Sequence, residues 1–287
     1  ALISAETRQR AQQMLQRFAA DPRQESTAQE IVGEIVTALD KAQGSLDNMN
    51  RLHISDTYTH SVDVCVLAVG LGMELGLSYH QLHELGVGCL LHDVGKIKIP
   101  SWVLHKPAKL SAEEYQIVKQ HTRLGYDLVC QNQKVSQAAA RPVLEHHERY
   151  DGSGYPHGKK GSDISFFAAI CGLADVYCAM TTDRIYRAAI APHEIYEMLL
   201  ATGDMWFDFG VVQAFARCVT PYPPGSLLKL TDGRAAQVKR RGENHPYVPI
   251  VRLVNSEIIA SIDIDLSRSK VGILGPLRSE EAQALLA

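Results

Sequence analysis

The chain has 287 residues, enough to bury a sizeable core and to divide into more than one domain. Apolar residues make up 46% and charged residues 21%, the balance of an ordinary globular protein. A formal charge of -3 supplies no global basic field and argues against a DNA or RNA polymer as partner, and no apolar run approaches the ~20 residues that span a bilayer.

The opening, ALISAETRQR, lacks Met and lacks the basic-then-apolar order of a signal peptide, which leaves open a processed start and a further N-terminal domain. Residues 5–43 are predicted as helix, because Gly and Pro are sparse and Ala, Gln and Glu are frequent. Thr57 to Leu75 carries Val62, Cys65, Val66 and Val69 at helical spacing and stops at Gly76. Tyr79 to His92 is a third helix, ended by Gly95. Ser111-Ala-Glu-Glu114 is a capping box that opens a helix to about Cys130. Ala138 to Arg149 is predicted helical, followed by the loop DGSGYPHGKKGSD and an apolar central helix, Phe166 to Met180. Pro192 suits the first turn of the next helix, and Asp208 is placed to cap the last.

At Pro221 the character changes. PYPPG is a rigid break, and beyond it SLLKL, AAQVKR, VPIVRLV and IIASIDI read as short strands, with Asp232-Gly233 as a hairpin turn. The expected organisation is an N-terminal helical segment (1–50), a long helical domain (51–220) and a small β-rich C-terminal appendix (221–287). The cysteines, Cys65, Cys89, Cys130, Cys171, Cys178 and Cys218, form no C-x-x-C pair and read as reduced core thiols of a cytoplasmic protein.

Several polar residues sit oddly in apolar helices. His146 and His147 are adjacent in LEHHERYDGSGYP, and successive helical side chains diverge by about 100°. His92 and Asp93 are adjacent in LLHDVGK. His60, His121 and Asp175 are isolated on apolar faces, and Asp175 in CGLADVYCAM needs a partner if buried. Each has a plainer reading: His92 can favour a helix C-terminus, and Asp175 can pair with an arginine such as Arg184. Together, five histidines and two aspartates in one helical region suit a cluster of Mn, Fe, Ni or Zn ions, with an aspartate able to bridge two of them. His146 and His147 are then expected to diverge toward different ions.

TYTHSV, LLHDVGKIKIP, KPAKLSAEEY, KQHTRLG, HHERYDGSGYP, LADVYCAMTTDRIYR and DFGVVQAF occur in that order between about Leu52 and Cys218. This resembles the HD-GYP family, a branch of the HD phosphohydrolases. The resemblance implies a mainly α fold, an HD-type helical bundle, and a metal-dependent phosphodiesterase that hydrolyses cyclic di-GMP to pGpG, GMP or both through a metal-bridging hydroxide. It implies His60, His92, Asp93, His121, His146, His147 and Asp175 as metal ligands, with Asp93 bridging. Two divalent ions are expected, Fe or Mn, and a third only if Asp56 reaches it. Asp56 stands where three-metal members carry the longer Glu, and it reads equally as a helix N-cap.

Lys96 is then expected on a substrate phosphate in a catalytic role beside Asp93, with Tyr155, Arg184 and Arg187 as further substrate contacts. The alternatives are a cyclic di-GMP receptor or scaffold without turnover, and a phosphohydrolase of another cyclic dinucleotide. The N-terminal helix is open to two roles: a homodimer or signalling contact, or packing on the bundle. The remaining histidines are read as ordinary.

Overall fold

The computed structural model describes residues 2–23, 27–42, 57–182, 189–242, 247–254 and 262–277. The predicted helix over 5–43 is two helices, α1 (Ala5–Ala20) and α2 (Ala28–Lys41). The reason is Pro22, which drives Asp21 into an extended conformation (φ -145°, ψ 93°) and ends α1. Both helices bury an apolar stripe, Ala11, Met14, Leu15 and Phe18 on α1 and Ile31, Val32, Ile35, Val36 and Leu39 on α2.

Helix α3 (Thr57–Glu74) is followed at Gly76 (φ +73°) by a turn into α4 (Tyr79–Leu91), whose start is fixed by a Ser78/Gln81 capping box. A 3-10 turn (Val94–Lys98) and a short α5 (Ser101–Leu104) come next. The capping box at Ser111 opens α6 (Ala112–Lys119) as expected, but this helix stops at Gln120 and α7 (His121–Val129) begins anew. Gln120 N–H bonds back to Ile117 at 3.2 Å, an i−3 bond that tightens the turn.

Helix α8 (Gln137–Glu145) ends before the paired histidines, which the sequence had suggested were helical. Then come α9 (Phe166–Thr181), α10 (Pro192–Leu200, with Pro at its first turn) and α11 (Phe209–Cys218). Asp208 caps α11 by accepting from Val211 N–H at 3.0 Å. One apolar core joins α1, α2, α3, α4, α8, α9, α10 and α11.

The C-terminal strands are β1 (Leu227–Leu230), β2 (Ala235–Arg240), β3 (Ile250–Leu253), β4 (Asp263–Asp265) and β5 (Ile273–Pro276), in the antiparallel order β4-β3-β2-β1-β5. Gly233 (φ +86°) makes the β1–β2 turn. The sheet has a core of its own, built on Leu228, Leu230, Val238, Val251 and Leu253. All six cysteines are free, but Cys130 is exposed, so it is not the core thiol the sequence suggested.

Candidate metal centre

Five helix ends and faces converge on one point. His60 comes from the first turn of α3, His92 caps α4, Asp93 begins the 3-10 turn, and His121 opens α7. His146 caps α8, His147 follows it, and Asp175 lies on α9. The end of α8 answers the question of the adjacent histidines. The chain leaves the helix there, so their rings come together at 4.1 Å between centroids and 43° between planes instead of diverging.

Two close backbone approaches make this convergence possible. A Cβ on Gly95 would lie 2.0 Å from the His121 carbonyl oxygen and 2.5 Å from Gly125 N, so the 3-10 turn meets α7 only through glycine. A Cβ on Gly172 would lie 2.5 Å from the His146 carbonyl oxygen, and glycine there lets α9 bring Asp175 against the end of α8.

Three rings share a device. Nδ1 of His92 meets the Cys89 carbonyl at 2.7 Å, Nδ1 of His121 meets Val118 O at 2.7 Å, and Nδ1 of His146 meets Pro142 O at 2.8 Å. A carbonyl only accepts, so each Nδ1 carries a proton and Nε2 is left as the atom that can meet a cation, which on His92 would displace the proton that Asp93 favours. Two groups of potential ligands form: His60, His92 and Asp93, and His121, His146 and His147, each with its ligand atoms within 4.8 Å of one another. Asp93 stands between them, Oδ2 3.4 Å from His92 Nε2 and Oδ1 3.4 Å from His121 Nε2. Asp175 Oδ1 lies 2.9 Å from His60 Nε2 and 3.9 Å from His92 Nε2.

This donor set fits divalent cations. His92 Nε2 and Asp93 Oδ1 are buried without a hydrogen-bond partner, a costly state that a cation would relieve. Burial lowers the basicity of His121 and drives His146 well below the usual imidazole range, with His147 adding to the effect on His146. Burial likewise lowers His147, to about 3. All three are neutral rings at pH 7, the form that binds metal. Burial also opposes charge on His92, but the adjoining Asp93 carboxylate outweighs it and pushes His92 up to about 10. Burial would raise Asp175; the hydrogen bond with His60 overrides it and holds the carboxyl well below its ordinary range.

Of the other expected residues, Lys96 places Nζ 2.5 Å from Asp93 Oδ2. Tyr155 stacks on His147 at 4.6 Å and 25°, and its N–H donates to His147 O at 3.1 Å. Asp56, Arg184 and Arg187 lie outside the described residues. Among the described residues, Asp175 meets His60 and His92.

Sequence reasoning missed the two buried glutamates that seat the loop after α8. Glu145 accepts from Arg141 (3.0 Å), Lys159 Nζ (2.9 Å) and Ser165 N–H (2.9 Å). Glu148 accepts from the N–H groups of His157 (2.8 Å) and Lys159 (3.0 Å). Glu145 and Glu148 flank the histidine pair in the sequence itself, and their place beside it was the available signal.

Comparison with known proteins gives the chain a family. A sequence model of the HD domain family matches residues 38–211. The chain is 35% identical over 228 residues to "Cyclic di-GMP phosphodiesterase PA4108" of Pseudomonas aeruginosa, covering 79% of this chain and 55% of that one. It is 32% identical over 170 residues to "3'3'-cGAMP-specific phosphodiesterase 2" of Vibrio cholerae, covering 59% of this chain and 33% of that one. The chain therefore spans about half the length of the first relative and a third of the second. In fold alone it is similar to Bd1817, an HDG"Y"P protein from Bdellovibrio bacteriovorus, with a TM-score of 0.60 and 17% identity over 72% of this chain and 68% of that one.

Proposed function

Because this chain belongs to the HD domain family, we propose that it hydrolyses cyclic di-GMP at the His/Asp cluster, giving pGpG, GMP or both. The carrying observation is Asp93 between two sets of imidazoles, with its own Oδ1 and His92 Nε2 buried without a hydrogen-bond partner.

His60, His92, Asp93 and Asp175 would hold one divalent ion and His121, His146 and His147 a second, with Asp93 shared. Iron and manganese suit a mixed imidazole and carboxylate set. Such ions supply Lewis acidity toward the scissile phosphate and a nucleophile drawn from water at neutral pH. Asp56, one methylene shorter than Glu, favours two firmly held ions over three. The chain's own residues do the rest. The Nδ1 hydrogen bonds to Cys89, Val118 and Pro142 orient three rings. Lys96, against Asp93, puts a positive charge where a phosphoryl oxygen gains negative charge. Tyr155, stacked on His147, borders the site from the loop side. Arg184 and Arg187 are assigned to the guanine bases, remote from the cleaved bond, whose edges and faces a guanidinium can cap.

Residues 51–220 would form the catalytic domain, with residues 1–50 and 221–287 as additions to it. The buried apolar stripes of α1 and α2 favour packing on the bundle over a homodimer or signalling contact. A nucleotide substrate and five buried free thiols favour the cytoplasm. No helix of the described residues is long and apolar enough to cross a membrane.

The similarity to a 3'3'-cGAMP-specific relative supports a second reading, hydrolysis of a hybrid cyclic dinucleotide. Parallel incubation of metal-loaded protein with cyclic di-GMP and 3'3'-cGAMP, with chromatography of the products, separates the readings. Preferred linearisation of cyclic di-GMP supports the first, and preference for the hybrid supports the second. Binding without any product would make the chain a receptor.

A further inference from the structure

Lys119 ends α6 two residues before His121. Among the described residues no carboxylate lies within ion-pairing distance of its ammonium. Two aromatic rings hold it instead: Nζ stands 4.8 Å from the centroid of Tyr115 and 5.0 Å from that of Tyr155. Those rings meet edge to face at 6.3 Å and 80°. Tyr155 in turn stacks on His147. A continuous row, His147, Tyr155, Lys119 and Tyr115, thus runs from the cluster toward solvent, where Tyr115 is 45% exposed.

The lysines around the cluster are unevenly answered. Lys96 is committed to Asp93 at 2.5 Å. Lys159 is committed to Glu145. Lys119 faces only ring quadrupoles, which attract an ammonium without cancelling its formal charge. Its side chain is also positioned in advance, so less rotamer freedom is lost when it meets an anion. A cyclic dinucleotide carries two phosphodiester groups, each with a negative charge, and only one can occupy the cluster at a time. The other needs a cation beyond the metal ligands.

Resting on the reading of the site as a cyclic dinucleotide phosphodiesterase, we propose that Lys119 binds the uncleaved phosphate of the substrate, with Tyr115 and Tyr155 holding its ammonium in place. Lys119 then contributes to recognition of a two-phosphate ring and not to bond cleavage.

The test compares Lys119→Met and Lys119→Arg on cyclic di-GMP and on bis(4-nitrophenyl) phosphate, which has a single phosphodiester. Lys119→Met should raise KM for cyclic di-GMP about tenfold with kcat changed less than about threefold. It should leave kcat/KM for the single diester within about twofold, and Lys119→Arg should recover most of the affinity. Equal loss on both substrates, or metal content below wild type, would make Lys119 a support of the cluster and overturn the proposal. No change on either substrate would also overturn it. Wild-type turnover tests the reading of the site separately: if cyclic di-GMP binds without being cut, the same tenfold effect is sought in Kd. A wild-type protein that neither binds nor cuts cyclic di-GMP or 3'3'-cGAMP overturns both.

Discussion

Asp93 Oδ1 lies 3.4 Å from His121 Nε2, and this contact links the turn after α4 to the first residue of α7. The two residues are far apart in sequence and meet because Gly95 lets the turn's backbone press against the carbonyl of His121. The shape of the cluster therefore depends on a residue that binds nothing.

Gly95→Ala should damage both stability and metal binding. Its Cβ would fall 2.0 Å from His121 O and 2.5 Å from Gly125 N, and these are backbone atoms that cannot swing aside. Overpacking of this kind costs about 3 kcal/mol. Urea unfolding and metal analysis should show both quantities falling together. A variant with wild-type midpoint and wild-type metal content would show that the close approach does not hold the cluster.

Glu145→Ala should loosen the loop while sparing much of the cluster. It leaves Lys159 Nζ and the Ser165 N–H without their shared buried acceptor. Loss of a buried charged acceptor of this kind costs about 3 kcal/mol. Hydrogen exchange should quicken across residues 151–160, and the His147–Tyr155 stack should lose definition. Unchanged exchange in that loop would show that Glu148 alone seats it.

How much of this was legible beforehand follows from which interactions are local. The ligand types were legible because polar side chains on apolar helices stand out in a single sequence, as His60, His121 and Asp175 do. Helix starts at Ser111, Pro192 and Asp208 were legible because capping is a matter of three or four neighbouring residues. The break at Asp21-Pro22 is equally local, since a proline restricts the residue before it. The break at Gln120 and the early end of α8 were harder, because they serve a meeting point with other helices. Gly95 and Gly172 were opaque, since their reason lies in His121 and His146, which approach only in the folded chain.

Removing the metals should lower stability without unfolding the bundle, whose apolar core extends over α1, α2, α3, α4, α8, α9, α10 and α11. At a free-ion concentration about 100-fold above Kd, each site adds ~2.7 kcal/mol to the native state. Thermal unfolding with and without a chelator measures this, alongside helical circular dichroism. Two ions per chain in protein purified without oxygen fit the account. Three ions at full occupancy, with Asp56 among the ligands, would contradict the expectation that Asp56 is too short.

The most direct measurement is the rate at which iron- or manganese-loaded protein linearises cyclic di-GMP, compared with the His92→Ala/Asp93→Ala double variant. The account predicts product from the wild type and a loss of ~10³-fold or more in the variant, with helical content retained, because no neighbouring group replaces a shared carboxylate and an imidazole. A folded double variant that keeps more than about a tenth of the wild-type rate would contradict it, since losing two ligands of a two-metal site cannot cost so little.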